Sequence, residues 1–161
     1  MSGFRAQLSY LSILILGLLF LLPAAPAAAA PGCVGAGCRG KMAAAQGCRD
    51  GAFAINGFTL VDPDVTQATR GDLWYSPACK AMWGELNAPE LIGFLYAQLW
   101  TQSEYGGVND LADFFQMGNA GNYTTPMVDW QQSVKFCGSH KGTDPDMDFP
   151  SGGFNACTLW R

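Results

Sequence analysis

The stretch LWYSPACKAMWGEL, residues 73–86, carries the pattern from which we predict a β-rich fold. Leu73–Ser76 is a run of apolar and aromatic residues typical of a strand, and Pro77 should end it because proline cannot donate to a sheet ladder. Lys80–Leu86 then resumes the strand pattern, with Ala81 and Trp83 on one face. Cys79 falls between the two strands, so a cysteine is expected at their junction.

Short segments on either side extend this pattern. Upstream, two apolar runs flank Asn56-Gly57, the dipeptide most typical of a two-residue turn, so we predict a hairpin over residues 52–61. Downstream, residues 124–130, 133–137 and 154–160 are predicted to be short strands. Many short strands at close spacing indicate a small sandwich or barrel.

Residues 88–118 permit two interpretations. Phe94–Trp100 alternates with a period of two, which favours a strand, whereas Asn87 ahead of Pro89 is typical of a helix start. Farther on, Leu111 would share one helical face with the two phenylalanines that follow it. We therefore predict a mostly β, disulfide-stapled sandwich or barrel, with one or two short helices left open between residues 88 and 118.

The first 29 residues have the composition of a signal peptide. Arg5 is their one charge, Leu11–Leu22 is apolar apart from Ser12, and the segment from Pro23 onward is small and rich in alanine. The apolar run is shorter than the ~20 residues that a bilayer span requires. We expect cleavage after residue 29, a single secreted extracellular domain over residues 30–161, and no stable membrane insertion once the leader is removed.

The mature domain is acidic. Removing Arg5 leaves eight basic and thirteen acidic residues, a net charge of −5. No basic stripe is present to neutralise phosphates, so the sequence predicts no nucleic-acid partner.

Six cysteines, all beyond the leader, predict three disulfides in an exported chain. They are Cys33, Cys38, Cys48, Cys79, Cys137 and Cys157. Six cysteines allow 15 pairings, and spacing alone does not choose among them. Cys33 and Cys38 are close enough to close a local loop, which would leave the other four for longer closures.

Several separated motifs resemble one family. They are Cys33-x4-Cys38-x-Gly40-Lys41-x5-Gly47-Cys48, the Leu73–Cys79 stretch followed by Trp83, Thr125-Pro126-Met127-Val128, and Cys157-Thr158. In this order they are similar to the YjfA-like family of secreted bacterial proteins, a domain of unknown function. The resemblance runs from Cys33 to the C-terminus and implies export without supplying catalytic residues.

The chain departs from the pattern of that family at three places. Trp74 stands where a basic residue is common, Glu85 where an arginine is common, and Met42-Ala43 where Asp-Pro is common. If these positions form a binding surface, the resemblance implies that this chain binds a different ligand.

The motifs that suggest chemistry are incomplete, so we predict no catalytic residues and no cofactor. Gly35–Lys41 matches a phosphate-binding loop, but Met42 stands where Ser or Thr would hold Mg²⁺. His140 is the one histidine, and with the cysteines in disulfides too few ligands remain for zinc. A weak calcium site is a candidate at the acidic residues Asp144, Asp146 and Asp148, although Gly and Glu are missing from the positions that such a loop requires.

Aromatic residues and carboxylates are the remaining candidates. Contacts to carbohydrate or a partner are predicted for Trp74, Tyr75, Trp100, Tyr105 and Trp130. Paired carboxylates for glycoside hydrolysis would have to come from Glu85, Glu90, Glu104 and Asp129.

We expect a non-enzymatic extracellular module that binds another extracellular protein or a cell-envelope component. The alternatives are a hydrolase of cell-wall polysaccharide and an extracellular enzyme inhibitor that inserts the loop Gly138–Gly153.

Overall fold

The computed structural model describes residues 30–61, 66–90, 94–102, 109–141 and 156–161. The predicted signal peptide, the loop with Asp144, Asp146 and Asp148, and the residues Glu104 and Tyr105 lie outside them. Among the described residues, no helix is long and apolar enough to cross a membrane.

Nine strands form two antiparallel sheets in the described residues. The strands are β1 (Phe53–Leu60), β2 (Thr69–Ser76), β3 (Ala81–Ala88), β4 (Phe94–Gln102), β5 (Asn109–Met117), β6 (Gly121–Thr124), β7 (Val128–Asp129), β8 (Ser133–Lys141) and β9 (Ala156–Cys157). The first sheet has the order β1-β2-β3-β6, with β7 also paired to β3, and the second has the order β5-β4-β8-β9. Two 3₁₀ turns, Gly35–Cys38 and Ala44–Gln46, precede β1. The prediction of a mostly β, disulfide-bonded fold is confirmed.

The two sheets face each other across one apolar core. From the first sheet it receives Phe58, Leu73 and Leu86, and from the second Leu95 and Phe136. Burial of such side chains is the main stabilising contribution in a domain of this size.

Two aromatic rings of this core lie directly over glycines. A Cβ added to Gly84 would come within 2.4 Å of the Phe136 ring, and one added to Gly71 within 2.1 Å of the Phe58 ring. Gly138 faces Phe58 from the opposite sheet, where a Cβ would meet the ring at 2.8 Å. The absence of a side chain at these strand positions therefore lets the two rings seat between the sheets.

The predicted hairpin at Asn56-Gly57 is wrong, because both of its halves belong to the single strand β1. That strand pairs with β2 along its length, from Phe53 opposite Tyr75 to Leu60 opposite Thr69, with a register irregularity between Ala54 and Asn56. The Asn56 side chain accepts the backbone N–H of Gly57 at 2.8 Å within this irregularity. Asn56 and Gly57 themselves pair with Leu73 and Asp72, so the dipeptide is accommodated in the strand ladder beside a bulge at Ile55, because pairing with β2 outweighs the local preference.

The alternative of one or two short helices between residues 88 and 118 is wrong for the described part of that range, residues 88–90, 94–102 and 109–118. Both β4 and β5 are strands, and they pair from Leu95 opposite Met117 to Gln102 opposite Asn109. Leu95, Ala97 and Leu99 are fully buried, because β4 lies between β5 and β8 inside the second sheet. Every second residue of β4 belongs to the core between the sheets, while Tyr96 and Gln98 are buried on the other face, and this spacing fits a period of two and not a helical period.

All six cysteines pair. The disulfides join Cys33 to Cys38, Cys48 to Cys79 and Cys137 to Cys157. The prediction of three disulfides is confirmed, and so is the local Cys33–Cys38 loop. The third disulfide joins residues that lie directly opposite each other on β8 and β9.

Candidate functional site

A cleft of about 230 Å³ opens on the face of the first sheet that points away from the sandwich core. Strand register places the cleft residues together. Asp72 lies opposite Glu85, Trp74 opposite Trp83, and Glu85 opposite Thr124. Alternate residues of a strand share one face, so these side chains share the outer face while Leu73 and Leu86 point into the core.

The N-terminal segment, residues 30–52, covers the end of this face next to the cleft. Four cysteines of the first two disulfides, Ala43, Ala81, Trp83 and Met127 form a second, separate buried cluster. Trp83 is fully buried there, and Trp74 stacks on it with ring centroids 6.4 Å apart and ring planes inclined by 11°. The cleft begins where this cover ends.

The two stacked indoles differ in their hydrogen bonding. Trp83 donates its Nε1–H to Glu85 Oε1 at 2.8 Å. Trp74 borders the cleft, and its Nε1 is buried without a hydrogen-bond partner among the described residues. A buried donor without a partner costs about 1–3 kcal/mol, so an unpaired N–H in a cleft wall requires an explanation.

A cation holds each of the two carboxylates of the cleft. Glu85 makes a close ion pair with Arg49, whose Nη2 also donates to Thr124 Oγ1 at 3.2 Å. Asp72 accepts from Arg70 Nε at 2.8 Å, and this hydrogen bond is the main reason that the pKa of Arg70 is raised. Arg49 follows the disulfide-bonded Cys48 directly, so the disulfide fixes the backbone that presents it.

Two amide side chains complete the polar wall. Asn87 Nδ2 donates to Asn122 Oδ1 in a close contact, and both residues are exposed. Asn87 and Asn122 lie opposite each other on β3 and β6. The wall therefore offers a cation, two carboxylates and two amides, which are groups that hydrogen-bond hydroxyl and amide ligands.

The structure separates the aromatic residues that were predicted as one contact surface. Trp74 lines the cleft, whereas Tyr75 points to the other face of β2, within 5.8 Å of the Phe53 ring and 6.4 Å of the Trp130 ring. Phe53 and Trp130 are each nearly half exposed. Trp100 lies in the second sheet and donates to Gln98 Oε1 at 2.9 Å, and Tyr105 lies outside the described residues.

The predicted carboxylates are likewise dispersed. Glu85 is in the cleft, but Glu90 binds the segment before β2 and Asp129 lies in β7 at the far end of β3. Glu90 accepts from Thr66 N and Oγ1, each at 2.7 Å, and these hydrogen bonds lower its pKa. Glu104 lies outside the described residues.

The structure also locates two other candidate motifs, the glycine-rich stretch Gly35–Lys41 and His140. Gly35–Lys41 spans the 3₁₀ turn inside the Cys33–Cys38 loop, and within the described residues, which start at residue 30, no strand leads into it because β1 begins only at Phe53. His140 pairs with Leu95 near the end of β8. The calcium candidates Asp144, Asp146 and Asp148 stay a prediction, since they lie outside the described residues.

Sequence reasoning missed Arg49, Asp72 and Asn87. A signal for two of them was present, because Asp72 is two residues before Trp74 and Asn87 is two residues after Glu85. Extending the predicted strands by one alternation would have put all four on one face. Arg49 is brought in by the N-terminal segment and gave no such signal.

A scan of protein-family models found no match to the chain, and searches of curated proteins and of solved structures found none either.

Proposed function

We propose that the protein is a secreted, non-enzymatic binding module whose ligand occupies the outer-face cleft. The partner is an extracellular protein or a component of the cell envelope. The resemblance to the YjfA-like family supports this proposal in one respect, because Trp74 and Glu85, two of the positions at which the chain departs from the family pattern, both line the cleft.

The observation that carries the proposal is the unpaired Nε1–H of Trp74. Trp74 lines the polar cleft, but this donor has almost no accessible surface, so a ligand oxygen would reach it through a small shift of the cleft wall. A hydroxyl- or amide-rich ligand fits best, because Asp72, Glu85 and Asn87 supply acceptors and donors around the same cleft.

The carboxylates favour binding over hydrolysis. Glycoside hydrolysis needs one carboxyl group that donates a proton and a second that acts as base or nucleophile. Here Glu85 accepts from both Arg49 and Trp83, and Asp72 accepts from Arg70. Both are therefore used as hydrogen-bond acceptors within the fold, a role that suits ligand positioning.

The test is a retention assay with the chain secreted under its own leader and purified oxidised. It is incubated separately with isolated cell wall and with the secreted proteins of the same culture. We expect retention on one of the two, and a loss of about tenfold or more in Trp74→Phe, which removes one hydrogen bond worth ~1.5 kcal/mol. Trp100→Phe is the matched control, since that indole lies in the other sheet. Equal retention of both variants would remove the cleft from the proposal.

A wall hydrolase is the second candidate, because Asp72 and Glu85 lie directly opposite each other beside Trp74. Release of soluble sugars from isolated wall by the wild type, abolished in Asp72→Asn and in Glu85→Gln, would establish hydrolysis. An inhibitor that uses the loop 138–153 stays a prediction, because most of that loop is outside the described residues.

A further inference from the structure

Four sulfur atoms meet at one point beneath the N-terminal segment. The Sγ atoms of Cys33, Cys38, Cys48 and Cys79 all lie within 4.8 Å of one another. Cys38, Cys48 and Cys79 are fully buried and Cys33 is 8% exposed. The two disulfides are thus one compact four-sulfur cluster with a single side close to solvent.

We propose that this cluster is a metal site in the reduced protein, in which the four thiolates bind one Zn²⁺. Four cysteines are a complete ligand set for a closed, tetrahedral zinc site. With zinc–sulfur bonds of about 2.3 Å, the sulfurs of such a site are about 3.8 Å apart. No two of the four sulfurs are more than 4.8 Å apart, which is about 1 Å beyond this spacing, and the two bonded pairs would separate to it once they are reduced.

The backbone around the cluster is held by bonds that do not depend on the disulfides. Gly35 N donates to Cys79 O at 2.7 Å, which joins the first cysteine loop to the β2–β3 turn. Cys48 N donates to Ala43 O at 2.9 Å, and Met127 N donates to Lys41 O at 2.8 Å. These bonds involve no sulfur, so we expect the four cysteine positions to stay close after reduction, and binding would not have to assemble the ligands from an open chain.

The local charge suits a zinc–tetrathiolate, which carries a net charge of −2. Each buried cysteine of the cluster is followed directly by a basic residue, namely Arg39, Arg49 or Lys80. Lys41 is a fourth basic residue close to Cys38. Half of the eight basic residues of the acidic mature domain therefore lie within three residues of a cysteine of the cluster. These neighbouring positive charges, of which Arg49 is shared with Glu85, would reduce the electrostatic cost of an anionic cluster.

The conversion balances with a dithiol reductant. Two dithiol molecules transfer four electrons and four protons to the two disulfides, by exchange through mixed disulfides, and become two disulfides themselves. The four protein thiols then lose four protons as they bind Zn²⁺. The third disulfide, Cys137–Cys157, is on the other sheet and takes no part.

The experiment uses the chain secreted under its own leader, reduced with a phosphine and freed of metal. Co²⁺ is titrated as a spectroscopic probe, and Zn²⁺ is then added in competition with a chromophoric chelator. We expect one Co²⁺ per chain, with the intense visible bands of tetrahedral thiolate coordination, displaced by one Zn²⁺. The oxidised chain should bind neither metal at the cluster.

The matched variants separate this site from the other thiols and from general unfolding. Cys137→Ser/Cys157→Ser should keep the full spectrum and stoichiometry. Cys38→Ser and Cys79→Ser should each weaken Zn²⁺ binding by on the order of 100-fold or more and change the Co²⁺ spectrum to that of three thiolates. A reduced wild type that leaves the metal with the chelator, octahedral Co²⁺ spectra, or equal loss in the Cys137→Ser/Cys157→Ser variant would each overturn the proposal.

Discussion

The two buried clusters of this domain are built on different principles. The core between the sheets is made of large apolar side chains, and its tightest contacts are aromatic rings seated over glycines. The cluster outside the first sheet contains four half-cystines around Trp83 and small or flexible side chains. The comparison teaches that the first is specified by shape, whereas the second is fixed by covalent bonds. The candidate cleft lies at the border of the second.

Reduction should have the largest effect, because it acts on the covalent cluster as a whole. In the chain-entropy model, the Cys48–Cys79 disulfide contributes about 3.5–4 kcal/mol and the shorter Cys33–Cys38 closure about 2 kcal/mol. We therefore expect a reducing agent, in a chelating buffer, to lower the melting temperature by more than about ten degrees. Calorimetry of the oxidised and reduced chains measures this, and an unchanged curve with free thiols would contradict the covalent account.

Gly84→Ala tests the shape-based core. The new methyl would meet the Phe136 ring at 2.4 Å, and overpacking of this kind costs about 1–3 kcal/mol. Denaturant unfolding measures the loss. The control is Gly37→Ala, whose added Cβ would meet nothing within 4 Å.

A second variant, Phe136→Leu, tests whether contact with the Phe136 ring causes the loss of stability in Gly84→Ala. If the ring is the obstacle, Phe136→Leu should destabilise the wild type but recover part of the loss in the Gly84→Ala background. Additive losses in the double variant would show that the ring contact is not the cause.

The stacked indoles provide a comparison inside the second cluster. Trp83→Phe removes a hydrogen bond to a carboxylate, which is worth about 1.5–3 kcal/mol. Trp74→Phe removes a buried donor that has no partner among the described residues, and this gain opposes the loss of packing by the smaller ring, so we expect its free energy of unfolding to change by less than about 1 kcal/mol. Equal losses in urea unfolding would indicate that the two N–H groups are equally satisfied in the folded protein.

The strands could be predicted from the sequence where alternation and turn chemistry agreed. Leu73–Ser76 and Lys80–Leu86 satisfied both conditions, and they correspond to the second half of β2 and to most of β3. The hairpin prediction at Asn56-Gly57 was wrong because turn preference is local, whereas the pairing of β1 with β2 is set by residues up to 22 positions away. The strand at Leu111 and its neighbours was not recognised, because a bulge in β5, opposite Leu99 and Trp100, disturbs the period of two.

The cleft was only partly predictable for a related reason. Trp74 and Glu85 were recognised as candidates one at a time, since sequence does not show which residues of paired strands are opposite. The Asp72–Glu85 pair exists only because β2 and β3 pair in this register. Arg49 reaches the pair because its neighbour Cys48 is bonded to Cys79. This bond belongs to one of the 15 possible pairings of six cysteines, and spacing alone does not select it.

The smallest expected effect concerns Glu90, which lies outside both clusters at the end of β3. Its carboxylate accepts from Thr66 and from Gln67 N, which lowers its pKa in the folded state. A group with a depressed folded pKa contributes stability that is fully present above its unfolded value of about 4.3 and is lost as pH falls through the folded pKa. Glu90→Gln should therefore melt slightly below the wild type at neutral pH, and the difference should shrink below pH 4. Melting curves at pH 7 and in acid measure this, and a difference that does not depend on pH would show that the charge of Glu90 does not stabilise this loop.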